Sequence, residues 1–217
     1  MKPLVFLSLI MLSFISLAQE KKEPSHYVFP DFEPGVVRMK NGNAIRAMLN
    51  YNTLSEEMVF LEGGEKRAIV DEQLKDIDTV YIGDRKFFKL DGAFVELLQQ
   101  SPYQFYAAYK GKMKAPERAS AFGTTSQTSS NFSYSPTLSV GAIYDINLPQ
   151  GTKVTRETSY WLQKDGKQEE AKNLNQLLKL YDNKNAGKDY AKSNKLDFEN
   201  PKDMLQLVKF LEEDQGN

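Results

Sequence analysis

Cysteine is absent from this 217-residue chain, histidine and tryptophan occur once each, and neither charge sign dominates. Each scarcity excludes a class of chemistry. Without cysteine there is no disulfide frame, thiol nucleophile, thiolate metal site or attachment point for a lipid behind a leader. One imidazole, His26, cannot supply the three or four nitrogen or sulfur ligands of a zinc site. It stands in a polar lead-in, where it is expected to be a solvated tail residue remote from any Ser–His–Asp arrangement. No Gly-x-Ser-x-Gly elbow occurs. Gly63 and Gly64 lie between two strand-like runs without the Gly-Lys-Ser/Thr of a phosphate loop, so they are read as a hairpin turn. A formal net charge of -1 argues against a nucleic-acid partner. No catalytic residue, cofactor or metal ligand is assigned.

One long apolar run stands at the start. Lys2 precedes Leu4 to Leu17, which only Ser8, Ser13 and Ser16 interrupt, and Ser16 and Ala18 are small residues at the positions a signal peptidase reads. The run is short for a membrane span and turns polar at Gln19 to Lys22. Residues 1–18 are therefore expected to be a signal peptide, with no transmembrane span after cleavage. Export without disulfides points to a bacterial envelope: periplasmic, outer-membrane-associated or extracellular.

Residues 19–34 carry Pro24, Pro30 and Pro34 and read as an extended lead-in. Residues 35–113 alternate as strands do. Val36 to Met39 and Ile45 to Tyr51 flank Asn41-Gly42. A two-residue turn would put Val37 and Met39 on the opposite face from Ile45, Ala47 and Leu49. A three-residue loop with left-handed Gly42 pairs Val37 with Ile45 and collects all five on one face, and this register is preferred. Met58 to Leu61 and Arg67 to Val70 flank Gly63-Gly64, and Ile77 to Ile82 is a further strand. Lys86 to Leu90 and Ala93 to Leu98 flank Asp91-Gly92, so that Phe88 faces Val95 and Leu90 faces Ala93. Tyr103, Phe105, Ala107 and Tyr109 mark the buried face of another strand, with Gln104, Tyr106, Ala108 and Lys110 on its second face.

Residues 114–137 form a Ser/Thr-rich loop, expected to be either mobile or functional. Residues 138–165 resume the strand pattern: Leu138 to Leu148, a Pro149-Gln150-Gly151 turn, then Val154 to Leu162, read as a hairpin rejoining the sheet. From 166 the period becomes helical. Leu174, Leu177, Leu178 and Tyr181 lie on one face, Gly187 reads as a helix stop, and a short helix follows near Asp189 to Asn194. Asn200-Pro201 opens the last helix with the apolar stripe Met204, Leu207, Val208 and Leu211.

Four groups of residues bear on function. Asp84, Glu96, Asp145 and Glu157 could serve a carboxylate-dependent glycan hydrolase, but no spacing selects a pair. Asp78-Thr79-Val80 matches a short bacterial O-glycosylation acceptor, and its strand position favours a structural role. Asp182 to Asp189 has some calcium-loop residues without the ligand spacing or the closing Glu, and reads as a helix–helix connection. Aromatics cluster around the Ser/Thr-rich loop, and Phe122, Phe132 and Tyr134 are the residues expected to contact a partner. Tyr106 and Trp161 lie on the strand faces opposite the main apolar set, where docking of the C-terminal helices is the favoured expectation.

Gly35 to Gly42 with Ala44 to Tyr51, then Phe87 to Leu98, and finally Tyr160 to Gly166 with Lys195 to Leu205 form a pattern that resembles uncharacterised secreted proteins of Bacteroidota-type bacteria. The likeness covers most of the mature chain. It implies an envelope protein and carries over no cofactor or site residue.

The sequence thus predicts an α+β protein: a curled antiparallel β-meander or partial barrel with a small C-terminal helical region. The expected role is an exported, non-catalytic binding or structural module of the cell envelope, partnered by another envelope protein or a glycan. Two alternatives are a small-ligand carrier using the sheet interior and the glycan hydrolase. The carrier needs an apolar cavity of at least about 300 Å³.

Overall fold

The computed structural model describes residues 26–69, 71–114, 152–164 and 166–213. The signal-peptide segment, Phe122, Phe132 and Tyr134, and the first strand of the expected late hairpin lie outside them.

Among the described residues, ten strands form one antiparallel sheet. They are β1 (Glu33–Met39), β2 (Ala44–Asn52), β3 (Glu57–Glu62), β4 (Glu65–Ala68), β5 (Ile77–Ile82), β6 (Arg85–Leu90), β7 (Ala93–Gln99), β8 (Gln104–Lys114), β9 (Lys153–Lys164) and β10 (Lys167–Ala171). A short helix, α1 (Asp71–Leu74), separates β4 from β5, and α2 (Leu174–Lys179), α3 (Lys184–Ser193) and α4 (Pro201–Glu213) follow the sheet. The spatial order is β10-β9-β8-β7-β6-β5-β1-β2-β3-β4. The expected fold class is borne out: mostly antiparallel sheet, curled but not closed, with helices at the C-terminal end.

Turn chemistry sets the registers. Val37 pairs with Ile45 around a loop in which Gly42 has φ +88, the register that three-residue closure predicts. Gly63-Gly64 (φ +61 and +88) and Asp91-Gly92 (φ +46 and +92) each place two residues in the left-handed region, as a type I′ turn requires. Phe88 therefore faces Val95 and Leu90 faces Ala93. The tight turn at Gly63-Gly64 also starts β4 at Glu65, earlier than the expected Arg67.

One register row crosses the sheet: Val37, Val80, Phe87, Glu96, Ala107, Tyr160 and Ala171 face their neighbours in turn, and all are buried. This row defines the inner face. Its far end, Ile45, projects beyond the core and is 56% exposed. Half of the inner face is closed by the curl itself. The Tyr51 ring of β2 stacks on Phe87 of β6, Gly111 N–H donates to the Thr53 carbonyl (2.7 Å), and Lys110 pairs with Glu56 (2.6 Å). At Gly35 a Cβ would lie 2.5 Å from the Tyr81 carbonyl oxygen and 2.6 Å from Leu49 Cδ1, so only glycine lets Leu49 cross β1 into this core.

The helices close the other half. Phe198 meets Tyr160 edge-on at 5.0 Å, its carbonyl accepts from the Tyr160 hydroxyl (2.8 Å), and Gln99 Nε2 donates to Glu212 (2.6 Å). Met204, Leu207, Val208 and Leu211 are fully buried, as the stripe predicts. Asn200 begins α4, its Oδ1 accepting from Lys202 N–H and its amide bonding Asp203.

Four expectations are corrected. The helical region does not begin at 166: Gly166, at φ +73, turns the chain into β10, which pairs along β9 before α2 starts. Gly187 is no helix stop but lies within α3. A Cβ there would sit 2.6 Å from Leu211 Cδ2 and 2.7 Å from Leu178 Cδ2, so the glycine lets three helices meet closely. The Asp182 to Asp189 stretch is therefore mostly the first turns of α3, not a connection. His26 is not a solvated tail residue: it is half-buried against Tyr27 (ring centroids 4.2 Å apart), and its carbonyl accepts from Thr53 N–H and Oγ1. The lead-in is held there by buried Asn50, whose side chain bonds Phe29 N–H, the Phe29 carbonyl and the Asp31 carbonyl.

Candidate functional site

The inner row contains one charged residue, Glu96, and burying a carboxylate requires compensation. Arg85, at the start of β6, provides it with two parallel bonds: Nε to Oε1 and Nη2 to Oε2, both 2.6 Å. Tyr109 of β8 donates its hydroxyl proton to Glu96 Oε2 and accepts from Arg85 Nη2 (3.0 Å). The guanidinium carbon lies 4.5 Å from the Phe29 ring centre and 5.5 Å from both Phe87 and Tyr109. Burial acts against the Arg85 charge, but the Glu96 bonds and charge outweigh it and raise the guanidinium pKa. Burial raises the Tyr109 phenol strongly, the Glu96 charge adds to this, and Arg85 opposes it. The cluster is saturated by its own members. Its arrangement suits a fixed structural clamp, since both Glu96 oxygens are committed.

The other carboxylate candidates do not join it. Glu157 pairs with Lys112 on the exposed ribbon (2.6 Å), Asp84 sits in the β5–β6 turn, and Asp145 is outside the described residues. Thr79 is buried, with its hydroxyl on Asp78 Oδ2 (2.9 Å), so a glycan acceptor role is sterically closed in the folded chain. Among the described residues no group of three or more His, Asp or Glu could hold a metal, and no helix is long and apolar enough to cross a membrane.

Among the described residues, large side chains fill the inner face. Tyr51, Tyr160, Phe87, Phe105, Leu49 and Met58 are under 2% exposed. A cavity of about 150 Å³ lies at the surface among Leu162, Lys164, Lys167, Glu169 and Leu180, well below the size a carrier requires.

The outer face of β8 and β9 is different. Tyr106 faces Trp161 across the strands, with Leu97 and Glu170 completing the row. The C-terminal helices dock on the inner face instead, so the expected docking of helices on Tyr106 and Trp161 is corrected. Phe88 meets Tyr106 edge-on at 6.3 Å, the Tyr106 hydroxyl donates to Gln104 Oε1 (2.7 Å), and Trp161 stays half-exposed. Alternation explains the error: two aromatic sets on opposite faces of one ribbon cannot both meet one helical layer.

Beyond the aromatic pair, β8 and β9 continue as a two-stranded ribbon past the end of β7. Lys110 faces Glu157, Lys112 faces Thr155, and Lys114 faces Lys153. All six are exposed. The row Lys110, Lys112, Lys114 follows the period of two, a signal readable in the sequence that attention to the loop aromatics passed over.

The fold and these surfaces define a curled, open antiparallel-sheet protein with a helical cap on the inner face and a ribbon whose outer face none of the described helices covers. Searches against family models, curated proteins and solved structures return no match.

Proposed function

We propose that this chain is an exported, non-catalytic binding or structural module of the bacterial cell envelope. One observation carries the non-catalytic part: the buried charged cluster on the inner face is consumed internally, Glu96 by Arg85 and Tyr109. Chemistry at that carboxylate would require breaking a bidentate pair in a filled core. Export is supported by the leader pattern of Lys2 to Ala18, and a bacterial setting by the absence of cysteine in an exported chain. A binding role is supported by the contrast between a consumed interior and a ribbon face whose outer residues Lys110, Lys112, Lys114 and Lys153 are exposed.

The test is fractionation of the native host followed by crosslinking of a tagged full-length chain in living cells. The reading expects the processed chain in the envelope or medium, captured with envelope material. A full-length chain in the cytoplasm sinks the export reading. Turnover of envelope glycan by the purified chain, lost in Glu96→Gln with the fold intact, sinks the non-catalytic one. Replacement of Phe122, Phe132 and Tyr134 by Ala is expected to weaken capture of a protein partner. Unchanged capture removes those three as contacts.

A further inference from the structure

The outer face of the β8–β9 ribbon carries four ammonium groups against two carboxylates, Glu157 of β9 and Glu56 of the β2–β3 turn. Lys110, Lys112 and Lys114 project from alternate positions of β8, so neighbours stand about 7 Å apart along the strand. Lys153 stands opposite Lys114 at the far end. Like charges facing each other across strands destabilise a sheet, and no carboxylate among the described residues is paired with either of these two. Lys110 and Lys112 do have partners, Glu56 and Glu157, but both pairs are solvent-exposed and therefore weak and exchangeable. The face keeps a cationic surplus that folding alone does not require.

The shape of that surplus narrows the partner. The row is two strands wide and runs in line with the half-exposed Trp161, beside the buried Tyr106, over a span of about 27 Å. Between the lysines and Trp161 lie the small side chains of Ala108 and Ser159, and Glu170 of β10, paired with Lys172, accepts from the Ser159 hydroxyl (3.0 Å). Aromatic rings take the C–H faces of sugars, while ammonium groups take carboxylates or sulfates. A bilayer would need apolar side chains beside the lysines, yet Met113 and Val154 face one another on the opposite side of the ribbon.

We infer that the outer face of the β8–β9 ribbon, from Trp161 to Lys114 and Lys153, is a binding surface for a linear acidic polysaccharide. The chain of sugar rings would lie along the strands, with its charges on the lysine row and one ring against Trp161. This deepens the proposed envelope role and rests on it for access to such a polymer.

Affinity electrophoresis and calorimetry of the mature chain with polygalacturonate test the inference, with dextran as the neutral control. Phosphatidylglycerol vesicles and oligo-dT distinguish other polyanions. Binding to polygalacturonate is expected at 50 mM salt and should weaken steeply by 300 mM, as exposed charge pairing does (roughly a Debye-length change of two- to threefold). The triple variant K112Q/K114Q/K153Q should lose roughly tenfold in affinity or more. Trp161→Phe, which keeps a ring, should bind nearly as wild type, and Trp161→Ala should lose several-fold without changing the salt dependence. Melting curves separate these losses from unfolding, and K167Q/K184Q/K188Q, three exposed lysines away from this face, controls for net charge.

Three results overturn the inference: no retardation by polygalacturonate, equal binding by the triple variant, or equal binding to vesicles or oligo-dT. Envelope capture that survives the triple variant would leave the envelope reading standing while the glycan reading falls. A cytoplasmic location with intact polygalacturonate binding would do the reverse.

Discussion

Tyr160 and Trp161 are adjacent on β9, and their surroundings differ in nearly every respect. Tyr160 stacks on Phe105 at 5.2 Å, meets Phe198 edge-on and is fully buried. Trp161 faces Tyr106, has none of the described helices over it and remains half-exposed. The inner residues nearest the core, Phe105, Ala107 and Tyr160, are held by the curl and the helical cap. The outer residues are held by cross-strand neighbours and by single contacts such as Phe88 on Tyr106 and Glu56 on Lys110. A single strand pair therefore carries a structural face and a face open to a partner, and substitutions should separate the two.

The largest effect is expected at alkaline pH. Tyr51, Tyr109, Tyr160 and Tyr181 face the interior, and burial pushes each phenol well above its usual range, with nearby carboxylates adding to the shift. The unfolded chain ionises them near pH 10, so below that pH their contribution to stability is complete. As pH rises above 10 the unfolded state loses protons first, and stability falls by about 1.4 kcal/mol per pH unit for each tyrosine. Phenolate absorbance should therefore rise together with loss of the circular-dichroism signal. Tyrosines that titrate with the fold intact would contradict this account of the interior.

Tyr160→Ala should cost about 3–5 kcal/mol in urea unfolding, through lost contacts and the orphaned Phe198 carbonyl. Glu96→Ala should cost about 3 kcal/mol by leaving Arg85 without its carboxylate, and the double change with Arg85→Met should recover much of that. If the double variant is no better than the single, the two side chains are not acting as a pair. Trp161→Ala should cost only about 1 kcal/mol, because one side of the ring already meets water. A loss as large as that of Tyr160→Ala would erase the distinction between the faces. Lys112→Gln should stay within about 0.5 kcal/mol, as exposed ion pairs do, leaving any change in binding free of a stability term.

Local signals made much of this legible from residues alone. Gly42, Gly64 and Gly92 announced their turns because few other residues adopt positive φ cheaply, and turn length then set which residues face each other. The stripe of α4 was readable because four apolar residues at helical spacing have one way to be buried together. Non-local choices were not readable. Gly187 resembles a helix stop until Leu178 and Leu211 arrive from other helices and require the space. The residues of β10 have weak strand character, and only pairing along β9 makes them a strand. His26 looked like part of a tail because its anchor, Thr53, lies 27 positions away in the chain and is brought alongside only by the sheet.

By itself the sequence determined the registers of the hairpins at Gly42 and Asp91-Gly92, the sheet-then-helix order and the exclusion of cysteine and multi-histidine chemistry. Those depend on φ preference, on periods of two and 3.6, and on which atoms the chain contains. Tertiary structure alone decided that Glu96 would be spent on Arg85 and Tyr109, and which face the helices would cover. It also decided that Trp161 and the lysines of β8 would share an open surface. Each of these depends on elements distant in the chain meeting at one place, and periodicity within a strand or helix carries no information about which layer arrives opposite it.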